Sequence, residues 1–320
     1  MGARFIMAGS DSAQISVIIT IVEGGDSLIR CLDALVAQTP RVAMEVIVPY
    51  DHITQQVKEL ASDYPDFTFV DLGKTLDGRI PKNALETHYF FDMRRSGALK
   101  FANGKLIAIL EDRGIPEPNW ASEMVALHQQ HPHAAIGGQV RNGINKARNW
   151  AAYICDFGRY QPPFTEKDPT YVSDTNIAYK RDALESIKPL WEKKYDEVKV
   201  NFGLHNAGLG LMLSELPVTV QMRAPMGIGK MMNERFHWGR NYGQARSVRL
   251  TPLKRFVLGL ASPIIPVLVY TRHLRRQLSK GRHVKEFLLA SPVLFLLLTC
   301  WAAGECTGYY EGASAIPTEQ

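Results

Sequence analysis

Cysteine is scarce in this chain of 320 residues and shows none of the spacings that bind metal. There is no Cys-x-x-Cys pair, and no histidine at metal-ligand spacing accompanies the four cysteines, Cys31, Cys155, Cys300 and Cys306. The first 14 residues also lack an apolar run as long as that of a signal peptide. We therefore expect reduced thiols and a protein body in the cytoplasm.

Acidic residues are almost missing from one part of the chain. Residues 223–285 contain 14 Lys and Arg but one acid, Glu234, which gives +13, whereas the remainder carries −8. The same part is apolar, and no RNA-binding signature accompanies it. The pattern favours an anionic membrane surface over nucleic acid as the partner of this part.

Short apolar runs alternate with helical patterns in the first part of the chain. Strands are predicted at 15–22, 45–48, 67–70 and 106–110, and helices at about 26–38, 54–64 and 94–102. This alternation predicts an α/β fold with a mainly parallel, doubly wound sheet. One more helix is predicted at 181–197.

Polar clusters stand where three of the predicted strands end. They are Glu23 with Asp26, Tyr50 with Asp51, and Glu111 with Asp112 and Arg113. Ligands of doubly wound sheets bind beyond the carboxyl ends of the strands, so these clusters predict a binding site. The alternative is that polar loops simply begin there.

The C-terminal part contains two apolar stretches, 253–270 and 287–303, each near the lower length limit of a membrane-spanning helix. Pro263 and Pro266 should kink the first, which we expect to lie in the membrane interface. We expect the second to dip into the membrane or to cross it once. The basic segment 272–285 between them should stay on the cytoplasmic side.

Several motifs, in order and spacing, resemble the inverting family-two glycosyltransferases, which use the GT-A nucleotide-diphosphosugar transferase fold. The resemblance covers about residues 15–246. Residues 15–21 are similar to the opening strand SVIIPTYN, although its Pro and Asn are missing. Residues 45–51 resemble EIIVVDDGS, with Tyr50 in place of the first acid and Asp51 retained. Arg94, followed by Gly97, resembles the segment ARNxG.

Later motifs continue the resemblance. Glu111-Asp112-Arg113, followed by Trp120, is similar to the DxD motif, but its second acid is replaced by Arg113. Further segments resemble NxAYRR, which begins here at Asn176, the ED…G motif at Asp196-Glu197, and QxxRW, of which only Trp238 is retained.

The resemblance implies roles for individual residues. Glu197 would be the general base, with Asp196 as the fallback. The residues implied in donor binding are Glu23, Tyr50, Asp51, Arg94, Glu111, Asp112 and Arg113. Those implied at the acceptor and sugar site are Asn176, Trp120, His237 and Trp238.

A divalent cation, Mg²⁺ or Mn²⁺, is the implied cofactor, and Asp112 and His237 are its candidate ligands. Arg113 cannot ligate a metal, so the alternative is that its guanidinium takes the metal's place beside the diphosphate. The implied partners are a UDP- or GDP-linked sugar, a glycan or lipid-linked acceptor, and the inner (cytoplasmic) membrane, with the catalytic domain facing the cytoplasm. No nucleic acid is expected.

The predicted organisation is an N-terminal tail (1–14), a GT-A domain (15–225), a basic amphipathic segment (226–251), membrane-associated hydrophobic helices with a basic linker (252–303) and a C-terminal tail (304–320). Two other functions stay open. One is a non-catalytic membrane scaffold of a polysaccharide-assembly complex, which the replacement at Arg113 favours. The other is a sugar nucleotidyltransferase, which usually carries a glycine-rich basic N-terminal loop that this sequence lacks.

Overall fold

The computed structural model describes residues 13–164, 169–248 and 250–312. The strands within these residues are β1 (Ile15–Thr20), β2 (Met44–Tyr50), β3 (Thr68–Asp71), β4 (Leu106–Glu111), β5 (Gly114–Pro116), β6 (Ala135–Asn142), β7 (Asn176–Lys180) and β8 (Leu211–Gln221). The α-helices are α1 (Gly25–Val36), α2 (Ala84–Leu99), α3 (Trp120–Gln130), α4 (Ala147–Phe157), α5 (Arg181–Ser186), α6 (Glu197–Asn206), α7 (Ile228–Ser247), α8 (Pro252–Ala261), α9 (Ile265–Lys280) and α10 (Val284–Glu311).

The strands form one mixed sheet in the order β3-β2-β1-β4-β7-β6-β8-β5. In its first half, β2 pairs with β3 and β1 pairs with both β2 and β4, all parallel. In its second half, β7 runs antiparallel to β4 and to β6. The predicted α/β fold is therefore confirmed, with a parallel half that carries the predicted strands and an antiparallel half beside it.

Alternate residues of the parallel strands enter two apolar clusters, one on each face of the sheet. Val17 and Ile19 of β1 belong to one cluster, whereas Ile18 belongs to the other. Burial on both faces explains why these strands appear in the sequence as continuous apolar runs. Each fully buried side chain of this kind contributes about 1.5–3 kcal/mol relative to an exposed one.

Three predicted helices differ in the structure. The helix expected at 94–102 begins earlier, at Ala84, and the one expected at 54–64 is a 3₁₀ helix, Gln55–Ser62. The helix expected at 181–197 ends at Ser186, because Pro189 in the next turn cannot donate a helical hydrogen bond. Glu197 consequently begins a new helix, α6, instead of ending a long one.

The chain divides into two compact units. The first is formed by the described parts of residues 1–80, 90–139 and 164–219, and the second by those of 81–89, 140–163 and 220–320. The first unit contains the parallel half of the sheet and its two apolar clusters. The second unit contains α4 and the four C-terminal helices α7 to α10.

The C-terminal helices differ in their bounds from the predicted segments. The basic stretch expected to be a linker is largely helical, since α9 continues to Lys280, and α10 extends to Glu311, beyond residue 303. By length and composition, Pro252–Lys280 and Val284–Glu311 are both apolar enough to cross a membrane. Of the predicted tails, residues 1–12 and 313–320 lie outside the described residues.

Candidate active site

The carboxyl ends of β1, β2 and β4 lie side by side in the first unit, and Thr20 at the end of β1 is paired with Glu111 at the end of β4. Just beyond β2, the fully buried Asp51 forms a two-pronged ion pair with Arg94 of α2, at 2.9 Å to Nε and 3.0 Å to Nη2. The remaining guanidinium nitrogen, Nη1, donates to the carbonyl of Ile21 at 2.7 Å. The structure thus brings two predicted donor-site residues together, and their opposite charges neutralise each other.

Arg95, the next residue of α2, is fully buried and lies among three carboxylates. Its Nη1 is 2.9 Å from Asp174 and 3.2 Å from Asp92, and its Nη2 is 3.4 Å from Glu111. Burial by itself lowers the pKa of Arg95, but the charges of these three acids outweigh it and raise the pKa above its ordinary value. Arg95 therefore remains a cation and links the end of β4 to the segment before β7.

Glu197 is held in the same cluster at the first position of α6. Its Oε1 accepts a hydrogen bond of 2.5 Å from the backbone N–H of Asp174, and its Oε2 accepts one from the hydroxyl of Tyr171. Burial, followed by the charge of Asp174, raises the pKa of Glu197 well above its ordinary value, although both hydrogen bonds and Arg95 act in the opposite direction. The structure thus holds Glu197 in a fixed position in the cluster at the end of β4, and its role as a base stays a prediction.

Glu111 and Arg113, at the end of β4, form an ion pair. Oε2 of Glu111 is 3.1 Å from Nε of Arg113, while Oε1 faces Arg95. The side chain of Arg113 keeps 17% of its surface exposed, whereas that of Glu111 keeps 7%. The DxD-like position thus presents a guanidinium at the surface, with the carboxylate behind it.

Asp112 points away from this pair and holds the loop that precedes α1. Its carboxylate accepts hydrogen bonds from the backbone N–H groups of Glu23, at 3.0 Å, and Gly24, at 2.7 Å. Burial raises the pKa of Asp112 to about 6, against the opposing effect of these backbone donors. Glu23 lies in this loop, and its side chain accepts a hydrogen bond from Ser27. Because the side chain is exposed, a ligand can reach it.

Three residues predicted to contact ligand are placed inside the fold. Trp120 is fully buried and donates from Nε1 to Asn176 at 2.8 Å, and Asn176 donates in turn to the carbonyls of Gln139 and Pro217. Tyr50 is 5% exposed and packs in an apolar cluster. These buried positions do not fit direct contact of the three side chains with an acceptor or a nucleoside base.

The remaining predicted residues lie at the margin of this cluster or in the second unit. Asp196 is the N-cap of α6, and its carboxylate accepts a hydrogen bond from the backbone N–H of Lys199 at 3.1 Å. This bond stabilises the start of the helix, which is a structural role for the carboxylate. His237 and Trp238 belong to α7, where the Trp238 ring meets that of His88 edge-on at 5.2 Å. Their contact with a ligand stays a prediction.

The carboxylate oxygens of the DxD-like position already have partners in the fold. Both oxygens of Glu111 face arginines, and those of Asp112 accept from backbone amides of the loop before α1. Within residues 13–164, 169–248 and 250–312, no group of three or more His, Cys, Asp or Glu side chains is arranged to hold a metal. The predicted metal-ligand role of Asp112 is thus not supported by its geometry.

Sequence reasoning missed Arg95, Asp174 and Tyr171. The only local signal was the i, i+3 spacing of Asp92 and Arg95, which is typical of an ion pair on a helix. Asp174 and Tyr171 reach Glu197 through the fold of the segment before β7, which leaves no periodic trace in the sequence.

Comparison with known proteins adds independent findings. Residues 16–188 match the family described as Glycosyl transferase family 2. Among solved structures, the chain is similar to the mannosyltransferase PcManGT from Pyrobaculum calidifontis in complex with GDP-Man and Mn²⁺, with a TM-score of 0.52 and 14% identity over 92% of this chain and 88% of that one. It is also similar to S. aureus TarS 1-349, with a TM-score of 0.47 and 15% identity over 88% and 90%. No curated protein matches the chain. At these identities the mannosyltransferase shows the GT-A-like fold alone.

Proposed function

Since the chain belongs to glycosyl transferase family 2, we propose that it transfers a sugar, with inversion, from a nucleotide-diphosphosugar to an acceptor at the cytoplasmic face of the inner membrane. Family membership supports sugar transfer from a nucleotide-sugar donor. The observation that carries the finer proposal is the cluster that joins Glu197, Asp174, Arg95, Glu111 and Arg113 at the carboxyl end of β4.

The proposed reaction is a single displacement. The oxygen of an acceptor hydroxyl attacks the anomeric carbon, and its proton passes to the carboxylate of Glu197. The bond between that carbon and the diphosphate oxygen breaks, and its electron pair leaves with the nucleoside diphosphate. Attack from the face opposite the leaving group inverts the anomeric configuration.

Arg113 supplies positive charge beside the leaving diphosphate. A guanidinium offers a planar set of donors that matches phosphate oxygens, and it requires no metal ligand. Glu111 and Arg95 fix its position from behind, so the charge is in place before the reaction begins. No step of this proposal passes through a metal ion.

We propose the donor and the acceptor only by chemical class. The exposed Glu23 and the loop fixed by Asp51 and Arg94 are the proposed nucleoside side of the site. The donor is a UDP- or GDP-linked sugar, and GDP-mannose is the first to test because PcManGT was solved with GDP-Man. A glycan or lipid-linked acceptor at a membrane is proposed from the charge and apolar surface of the second unit.

The direct test is to incubate the purified chain with UDP- and GDP-sugars, with and without EDTA and a membrane extract as acceptor source. A true donor at about a hundred times its dissociation constant should add roughly 2.7 kcal/mol of stability and raise the melting temperature. We expect one donor to stabilise the chain and to release its nucleoside diphosphate when acceptor is present. Stabilisation by none of them, with no release, would contradict the proposal.

A membrane scaffold is the second candidate, because Arg113 stands where an acid of the DxD motif is expected. A donor that stabilises the chain but is never turned over, with any acceptor extract, would favour it.

A further inference from the structure

One face of helix α10 packs against two other helices of the second unit, α4 and α7. Near its start, the ring of His283 lies 4.8 Å from that of Trp150 in α4. Toward its end, α10 meets α7 backbone to backbone, and an added Cβ at Gly239 or Gly304 would collide with the carbonyl of Trp301 or Phe236. Glycine permits this close approach because it has no side chain.

The contact between α7 and α10 also contains charged groups. Glu305 of α10 is 4% exposed and lies 3.5 Å from Nη1 of Arg246, and Glu311 accepts from Nε of Arg240 at 2.6 Å. If α10 crossed a bilayer over its whole length, these charges and the part of α7 that carries them would enter the hydrocarbon, which is costly. The packing of α10 against α7 therefore favours a position of α10 at the membrane surface.

Helices α8 and α9 lie against α10 in the opposite chain direction. The hydroxyl of Tyr270 donates to Ser291 at 2.8 Å near the start of α10, whereas Cys306 near its end donates to the carbonyl of Gly259 at 3.3 Å. The three helices therefore form a hairpin that rests on α4 and α7 of the same unit.

The outer surface of this hairpin is apolar along α8 and the first turn of α9, and basic further along α9. Exposed apolar side chains recur every three or four residues, at Leu253, Phe256, Val257, Leu260, Ile264, Val267 and Leu268. On α9 the same helix face continues into the exposed Arg272 and Arg275. Apolar residues in line with basic ones are typical of helices that lie in a membrane interface.

We propose that α8, α9 and α10 bind, in the plane of the membrane, to an anionic lipid bilayer and that none of the three crosses it. The inference rests on the membrane attachment in the proposed function. The apolar row enters the boundary between headgroups and acyl chains, and Arg272 and Arg275 bind lipid phosphates. Residues 272–285 contain six Lys and Arg and no acid, which favours this partner over a neutral surface or a second copy of the chain. The segment 287–303, predicted to dip or cross, is placed at the surface.

Vesicle flotation of the full chain tests the surface. Vesicles with 30% phosphatidylglycerol should bind the protein and pure phosphatidylcholine should not, with binding weakened by high salt. The double variant Val257→Glu/Leu260→Glu should lower anionic-vesicle binding at least tenfold. Leu216→Glu is the matched control, since Leu216 is an exposed leucine of the first unit and its replacement should change nothing. A protein that floats equally with both vesicles, or a double variant that binds normally, would overturn the proposal.

Carbonate extraction of native membranes and labelling of Ser279→Cys from outside intact cells test the topology. We expect full extraction and no labelling above the background of the parent chain. Carbonate resistance with labelling from outside would refute the in-plane arrangement but leave the membrane attachment. Absence of any vesicle binding would refute both the in-plane arrangement and the membrane attachment. Sugar transfer would still be tested separately, by the release of nucleoside diphosphate in the presence of donor and acceptor. If the double variant instead converts a lipid-free dimer to a monomer, the surface is an interface between copies and the proposal is wrong.

Discussion

Two neighbouring arginines of α2 are both buried, yet their electrostatic surroundings differ. Arg94 forms a closed pair with one carboxylate, Asp51, and donates its remaining group to a backbone carbonyl. Arg95 is shared among three carboxylates. These belong to Asp92, Glu111 and Asp174.

The difference suggests that Arg94 stabilises the fold, whereas Arg95 positions the carboxylates of the proposed active site. A matched buried pair holds two segments together, and removing one partner leaves the other charge uncompensated. An arginine shared by several acids instead fixes them at set distances, and one of them, Asp174, binds Glu197 through its backbone N–H. Groups with displaced pKa values, such as Glu197, gather in the second kind of region.

The largest expected effect concerns the base in the Arg95 region. Glu197→Gln keeps the shape of the side chain but cannot take a proton, so we expect turnover to fall by roughly 10²–10⁴-fold with donor binding near normal. Asp196→Asn is the matched control, because an asparagine can still cap α6. Normal turnover in Glu197→Gln together with a loss in Asp196→Asn would move the base to Asp196.

The two arginines should respond differently to the same substitution. A lysine keeps the charge but cannot make a two-pronged contact. Since a hydrogen bond to a charged group is worth about 1.5–3 kcal/mol, Arg95→Lys should lower kcat about 10–100-fold with little change in KM. Arg94→Lys should lower the free energy of unfolding in urea by about the same energy. Since Arg94 fixes the loop on the proposed nucleoside side, any loss of activity should appear in the KM for the donor, while the folded protein keeps its kcat. Equal losses of kcat in both variants would break the distinction.

A further expected effect concerns Arg113. Arg113→Gln should slow transfer about 10-fold or more, which corresponds to the loss of a charged hydrogen bond of at least 1.5 kcal/mol to the diphosphate. Arg113→Asp should make activity depend on added Mn²⁺, whereas the wild type should not respond to EDTA. Complete inhibition of the wild type by EDTA would restore the metal-dependent reaction.

The smallest expected effect is a shift in pH dependence. Glu197 acts as a carboxylate, so the rate should fall as the pH drops through its pKa, which burial raises above the ordinary glutamate value. The hydroxyl of Tyr171 lowers that pKa by hydrogen bonding, so Tyr171→Phe should move the fall in rate to higher pH. An unchanged profile of kcat against pH would show that another group controls it.

The strand ends could be predicted because buried parallel strands are continuous apolar runs and polar residues follow them. Glu111, Asp51 and Glu23 were found this way, and the structure places all three at one edge of the sheet. Arg95 could not be found, since its partners lie up to 79 residues away and meet it only after β7 pairs antiparallel with β4. Helix α2 was predicted too short because both of its faces mix charged and apolar residues.

The anomeric configuration of the product formed in EDTA is the most direct measurement of the central claim, that Glu197 and Arg113 carry out inverting transfer without a metal. NMR of the product from an α-linked nucleotide-sugar donor reads it from the one-bond coupling between the anomeric carbon and its proton. We predict transfer in EDTA and a β-linked product. A retained α-linkage, or no product until a divalent cation is restored, would contradict it.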